Sequence, residues 1–259
     1  MLLTIDIGNS NVVWGLFRQQ SLIGHWRADT NPTWTAGDYG NLLAHQLRSA
    51  GQSVDTITDA ILCSVVPALI PAFEQMAQDL SHRKPLVVSS DMDTGLTLHY
   101  ADPRTLGADR LANVAAAYDR YKTSLIVVDL GTATTFSVVT EQGDFLGGAI
   151  APGLGIGAEA LSARTAQLPQ VPLAQPKAVI GRDTVSSIQS GLIYGHAAMV
   201  DDLIARLHDE LGQRALVVAT GGFSSLLSPC SRKIQEVRPY LTLEGMELLH
   251  RRTRGQTST

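Results

Sequence analysis

At 259 residues with 44% hydrophobic content, the chain is long enough for two modest cores and contains no low-complexity tract or charge block of the kind that marks extended disorder. A net charge of −4 and a pI near 5.9 argue against a general nucleic-acid binder, whose phosphate contacts demand a basic face. No apolar run approaches a bilayer span, and Met1 to Ile7 lacks the basic start and long apolar stretch of a signal peptide, so a cytoplasmic protein engaging neither membrane nor nucleic acid is expected.

Leu2 to Phe17 reads LLTIDIGNSNVVWGLF: an apolar strand, Asp-x-Gly with amide and hydroxyl residues, then a second apolar strand. VVWGLF and SLIGHWRA form a hairpin around Arg18 to Gln20. A helical stretch follows from Gly37 to Ser49, then DAILCSVVP as a strand feeding the helical ALIPAFEQMAQDL, then a short strand at PLVVS. In HYADPRTLGADRLANVAAAYDRY, Pro103 and Gly107 keep the first part irregular, and the spacing of Leu111, Val114, Ala115 and Tyr118 predicts a helix from Ala108. The opening motif then returns, with Leu125 to Val139 reading LIVVDLGTATTFSVV. TTFSVV and FLGGAI pair around Glu141 to Asp144; a helical stretch runs from Ser186 to Leu211; RALVVATGG feeds FSSLLSPC; KIQEV offers a last short strand. Strand, strand, strand, helix, strand, helix, strand therefore runs twice. That predicts an α/β protein of two tandem domains, 1–115 and 116–259, facing each other across a cleft.

The chemistry lies in what each turn presents. Gly8 and Gly131 let the backbone bend tightly and bring main-chain N–H groups to a phosphate, while Asn9, Ser10 and Asn11, with Thr132, Thr134 and Thr135, offer side-chain donors. Asp6 and Asp129 would repel a polyphosphate unless cations bridge the charges. One Asp-x-Gly alone would read as hairpin closure, but two with matched flanks point to metal-dependent phosphoryl transfer. Cys63 and Cys230 form no CxxC, and the histidines lack ligand spacing, so any metal is expected to be held by oxygen. Gly153, Gly155 and Gly157 form GxGxG without the strand and third glycine of a dinucleotide fingerprint, and GxxxxGK[ST] is absent. APGLGIGAEALSARTAQLP reads instead as a loop entering a helix whose N-terminus lies around Ala158 and Glu159. A hydroxyl acceptor needs a base, and Asp109 beside Arg110 is the candidate. An Asp in a first turn also complements the helix dipole, and spacing alone leaves both readings open. His250 to Arg254 reads as part of a solvated, frayed terminus.

These residues carry a resemblance. DIGNSN at Asp6 to Asn11, TAGDYG at Thr35 to Gly40, GADR at Gly107 to Arg110, DLGTATT at Asp129 to Thr135, GGAIAPG at Gly147 to Gly153, SARTAQLP at Ser162 to Pro169 and GRDTVSSIQSG at Gly181 to Gly191, in that order, resemble the type III pantothenate kinases. The likeness extends to TLEG at Thr242 to Gly245. It implies a duplicated ribonuclease-H-like α/β domain, the actin-like ATPase fold.

The resemblance also implies roles. Asp6, Ile7, Gly8, Asn9, Ser10, Asn11, Val12 and Val13 match a first phosphate loop, with Asp6 near magnesium. Asp129 matches the ligand of a monovalent cation, potassium or ammonium; Thr132 matches an ATP contact, and Gly221 and Gly222 the loop near the adenosine. Tyr100, Gly107, Ala108, Asp109, Arg110 and Thr184 match pantothenate contacts, with Asp109 the proton acceptor. A homodimer, with the acceptor pocket completed by the partner subunit, is implied as well. The alternative is a ligand-sensing regulator that retains the site without turnover. Ser10 for a common Thr and Leu130 for a frequent Phe are mild departures.

Overall fold

The computed structural model describes residues 1–256. In chain order its strands are β1 (Leu2–Ile7), β2 (Asn11–Arg18), β3 (Ser21–Asp29), β4 (Asp59–Ser64), β5 (Leu86–Val87), β6 (Thr97–Leu98), β7 (Leu125–Leu130), β8 (Ala133–Val139), β9 (Asp144–Pro152), β10 (Leu216–Thr220) and β11 (Glu236–Val237). Its α-helices are α1 (Ala36–Ser49), α2 (Ile70–Ser81), α3 (Ala108–Tyr121), α4 (Leu154–Arg164), α5 (Thr184–Leu211), α6 (Ser224–Leu227) and α7 (Leu241–Gln256). Contacts divide the chain into two compact units. The first comprises Met1–Leu96, Ala101–Ala116 and the described residues from Thr242; the second comprises Thr97–Tyr100 and Ala117–Leu241. The crossing inside α3 falls beside residue 115, while the β6 segment and the C-terminal helix depart from a simple two-part cut.

In the first unit the sheet order is β3-β2-β1-β4-β5, with β1, β2 and β3 antiparallel and β4 and β5 parallel to β1. The apolar runs of β1 and β4 place Leu3, Ile5, Ile7, Ala60 and Leu62 in one core with residues of α1 and α2. Helix α1 starts at a capping box in which Thr35 and Asp38 satisfy each other's backbone N–H groups, and its buried Tyr39, Leu43 and Leu47 recur at helical spacing. Their side chains meet Trp14 on β2 and Phe73 on α2, whose ring centroid lies 4.3 Å from that of Tyr39.

The second unit repeats the plan. Its sheet order is β11-β10-β7-β8-β9-β6, so the series β9-β8-β7-β10-β11 reproduces β3-β2-β1-β4-β5, with β6 added at the β9 edge. The sense of each pair also repeats: β7, β8 and β9 are antiparallel, and β10 and β11 run parallel to β7. Helix α5 opens at an Asp183 and Ser186 capping box and ends at Gly212 in the left-handed region. Its Ile193, Val200 and Ile204 pack with Ile126, Val128 and Phe136, which makes α5 a core helix of this unit.

Two expectations are corrected. The GLGIG segment is helical from Leu154, with Gly153 as its N-cap, so α4 begins a turn before Ala158. The basic cluster is no frayed tail but part of α7. His250 Nε2 lies 3.0 Å and Arg254 Nε 3.1 Å from Asp59 Oδ2 at the start of β4. Burial pushes the Asp59 carboxyl up, yet His250, the Ala60 N–H and Arg254 together hold it below its ordinary value. At its other end α7 approaches α3 so closely that a Cβ on Gly245 would stand 2.0 Å from the Ala112 carbonyl oxygen, a contact only glycine permits. Residues 257–259, the end of the expected polar tail, lie outside the described residues.

Candidate active site

In the first unit, Asp6 and Ile7 end β1, Gly8 to Ser10 form the turn, and Asn11, Val12 and Val13 begin β2. Asp6 is half-buried and Asn9 and Ser10 are exposed, so the turn offers its edge to solvent. The Gly8 N–H donates to the Asn11 carbonyl at 2.9 Å. Thr30, just beyond β3, pins the turn from outside. Its hydroxyl donates to the Gly8 carbonyl at 2.7 Å, and its N–H donates to the Ser10 carbonyl at 3.0 Å. The side chain of Asn11 is held by its neighbours, donating to Asp29 Oδ1 at 3.0 Å and accepting from the Arg27 guanidinium. Asn11 therefore orders the turn as well as lining it.

The second turn is one residue shorter. Asp6 registers with Val13, whereas Asp129 registers with Thr135, and the Gly131 N–H reaches the Ala133 carbonyl at 3.1 Å. Neither Gly8 nor Gly131 has a positive φ, so their glycine requirement is one of space. A Cβ on Gly8 would stand 3.0 Å from the Asn11 carbonyl oxygen, and one on Gly131 3.3 Å from Asp129 Oδ1.

Two backbone segments of the second unit converge on this turn. Gly153 abuts it, since a Cβ there would lie 2.1 Å from the Thr132 carbonyl oxygen. Helix α4 thus begins against the Gly131–Thr132 turn, and helix N-termini favour anions. On the other side Gly221 adopts φ +90, and a Cβ on it would lie 2.4 Å from Asp129 Oδ1. The Phe223 N–H donates to the Leu130 carbonyl at 3.0 Å, fastening the Gly221–Gly222 loop to the end of β7. Asp129, Thr132 and Gly221 are thereby brought together. Thr134, expected to offer a donor, is buried and stands 2.9 Å from Nε2 of His196 on α5, whose imidazole burial keeps below its ordinary pKa. Gly153, His196 and Thr30 carried no local signal of their role, because their partners are distant in sequence.

The candidate base lies in the first unit. Asp102 caps a short 3-10 turn, Pro103–Thr105, and α3 then starts at Ala108. The Asp109 carboxylate folds back over Gly107, where a Cβ would meet Oδ1 at 2.6 Å, and Oδ1 accepts the Arg110 N–H at 2.7 Å. Burial pushes the Asp109 carboxyl above its ordinary value, and the Arg110 N–H and guanidinium only partly oppose it. A desolvated carboxylate with a raised pKa is a better proton acceptor than a solvated one. Arg110 itself is buried.

The other two predicted contacts belong to the second unit. The half-buried Tyr100 ring has its centroid 5.9 Å from that of Phe145 and passes over Gly147, where a Cβ would touch it at 3.7 Å. Thr184 is the exposed first residue of α5.

Comparison with known proteins decides the family. The family model for type III pantothenate kinase matches residues 2–206. The chain belongs to the type III pantothenate kinase family. A type III pantothenate kinase of Anaeromyxobacter sp. (strain K) is 46% identical over 254 residues, 98% of this chain and 100% of that one. The Geobacter sulfurreducens member of the family is 44% identical over the same shares. Among solved structures, a Campylobacter jejuni protein described as a Baf family transcriptional activator superposes with a TM-score of 0.61 at 19% identity, covering 98% of this chain and 99% of that one. Component A of (R)-2-hydroxyglutaryl-CoA dehydratase from Acidaminococcus fermentans superposes with a TM-score of 0.56 at 13% identity, covering 96% and 95%. At those identities the structural likeness speaks for the fold alone. The duplicated actin-like ATPase fold expected of the family is the one observed.

Proposed function

We propose that this chain transfers the γ-phosphoryl group of ATP to pantothenate, giving ADP and 4′-phosphopantothenate, the first step toward coenzyme A, in the cytoplasm. The observation that carries the reading is family membership along the chain, joined to two Asp-bearing turns at equivalent ends of a repeated sheet. Asp109 accepts the proton of the acceptor hydroxyl, and the buried Arg110 pairs with the pantothenate carboxylate. Tyr100, Gly107, Ala108 and Thr184 complete the acceptor contacts. The turn from Asp6 to Val13 receives the phosphates, and Thr132 with Gly221 and Gly222 holds the nucleotide.

Oxygen donors suit the implied cations. Among the described residues no group of three or more His, Cys, Asp or Glu could hold a metal ion, so magnesium near Asp6 would take most ligands from phosphates and water. The Asp129 carboxylate leans over Gly221, where any side chain would displace it, and its oxygens would serve as ligands of the monovalent cation. When bound, these cations neutralise charge on the phosphoryl oxygens.

The homodimer reading is supported by large apolar side chains exposed on the second unit. Leu146 and Ile150 on β9, Ile156 on α4, Val179 and Ile180 leading into α5, and Val185 in its first turn face solvent, Ile180 at 81% exposure. Light scattering should return twice the 27.7 kDa chain mass; a monomer at micromolar concentration would remove this part of the proposal.

The function itself is tested by ADP release from the purified protein with ATP and magnesium, with and without pantothenate and potassium. Turnover should require pantothenate. Binding of ATP or pantothenate with no ADP release would favour a ligand-sensing regulator.

A further inference from the structure

We infer that the hydroxyl of Thr220 is a second protein ligand of the monovalent cation at Asp129. The inference rests on the proposed cation role of Asp129 and extends it to a residue that neither the motif spacing nor the family resemblance singled out.

Three observations meet at one place in the second unit. In the ladder between β10 and β7, Thr220 registers with Asp129, and in the antiparallel ladder between β7 and β8, Asp129 registers with Thr135. Partners in a ladder project from the same face of a sheet, so Thr135, Asp129 and Thr220 form a row of oxygen-bearing side chains across three adjacent strands. The row stands at the end of β7 where the Gly131 turn begins.

Thr220 is only 1% exposed, and its Oγ1 is buried without a hydrogen-bond partner. A buried hydroxyl left unpaired is uncommon in native proteins and points to a missing water or ion. Val, which has the same shape and suits a strand equally well, would fill the position without that cost. A hydroxyl here therefore asks for a partner.

The third observation is the space held open by Gly221. Its φ of +90 and the 2.4 Å approach of Asp129 Oδ1 to the position of a Cβ keep the residue after Thr220 bare, with the carboxylate lying across it. A carboxylate and a neutral hydroxyl, both attached to rigid strands, suit a large, weakly hydrated monovalent cation. Such ions are bound by several oxygen dipoles and a low total charge, whereas a divalent ion would favour more carboxylates.

The experiment follows thermal unfolding of the wild type, Thr220→Val, Thr220→Ser and Asp129→Asn against potassium chloride, with choline chloride holding ionic strength constant. The same titrations are then read as pantothenate-dependent ADP release. In the wild type, potassium should raise the melting temperature saturably. Thr220→Val should melt at or above the wild type in choline, and its half-saturating potassium concentration should rise about tenfold in both readouts. Thr220→Ser should restore a near-wild-type titration, and the KM for pantothenate should not move. A merely structural hydroxyl would instead make Thr220→Val less stable in choline and leave potassium saturation unchanged, which overturns the inference. If Asp129→Asn loses the potassium response while Thr220→Val keeps it, the cation reading of Asp129 stands and only the role of Thr220 falls. If the wild type itself shows no potassium-specific stabilisation or activation, both fall together.

Discussion

Asp109→Asn should lower kcat for pantothenate phosphorylation by about a thousandfold while raising the melting temperature at neutral pH. The two effects share one cause. Burial raises the folded-state pKa of Asp109 against the weaker opposing pull of the Arg110 N–H and guanidinium. A group with a raised folded pKa contributes stability that is fully present below its unfolded pKa and is lost as pH rises through the folded value. At neutral pH the wild type therefore carries a buried carboxylate at a cost, and Asn removes the charge while keeping an oxygen to accept the Arg110 N–H. The stability advantage of the variant should fade on acidification and vanish below the ordinary aspartate pKa. In the wild type, kcat/KM should fall on the acid side at a pH above that ordinary value. Calorimetry across pH, alongside the pH–rate profile, checks both. An Asn variant that melts lower at neutral pH and still turns over would remove Asp109 from the role of base.

Gly221→Ala is the second large effect expected. The substitution meets a backbone at φ +90, Asp129 Oδ1 at 2.4 Å and the Leu130 carbonyl carbon at 2.7 Å from the new Cβ. Each of the two strains, conformational and steric, is worth about 1–3 kcal/mol, and relieving them displaces either the Asp129 carboxylate or the loop fastened to Leu130. The KM for ATP should rise more than tenfold, converted from a loss of about 1.4 kcal/mol or more in nucleotide binding, with the pantothenate KM little changed. Gly37→Ala provides the control. That glycine lies exposed in the first turn of α1, where a Cβ would make only an ordinary 3.7 Å contact with Thr35 Oγ1, and Ala there should leave kinetics intact and stabilise the helix by up to about 1 kcal/mol. Equal kinetic damage from both changes would contradict the assignment of Gly221.

The duplication was legible because its signals are local. LLTIDI and LIVVDL are uninterrupted apolar runs ended by Asp-x-Gly, and each is followed by hairpin strands of matching length, so order and pairing could be read before any contact was known. What stayed hidden depends on partners far along the chain. Arg254 and His250 look like a solvated basic tail until Asp59 is brought beneath them, and no periodicity announces a carboxylate nearly two hundred residues away. Thr134 and Thr135 are neighbours in one motif, yet strand alternation turns the first into the layer of α5 to meet His196 and leaves the second in the row with Asp129. GLGIG resisted reading as helix because its glycines weaken local propensity, and burial of Leu154 in the core of the second unit overrides it. The site residues themselves came from motif order and resemblance; the raised pKa of Asp109 and the cradle at Gly221 are what the fold adds.

The most direct test of the central claim is the identity of the product. The purified chain would be incubated with ATP, magnesium, potassium and pantothenate, and the mixture resolved by mass spectrometry and phosphorus NMR. One phosphoryl group on the terminal hydroxyl of pantothenate, formed in step with ADP and absent with Asp109→Asn, is the expected result. Nucleotide bound by a well-folded protein, with pantothenate recovered unchanged, would contradict it.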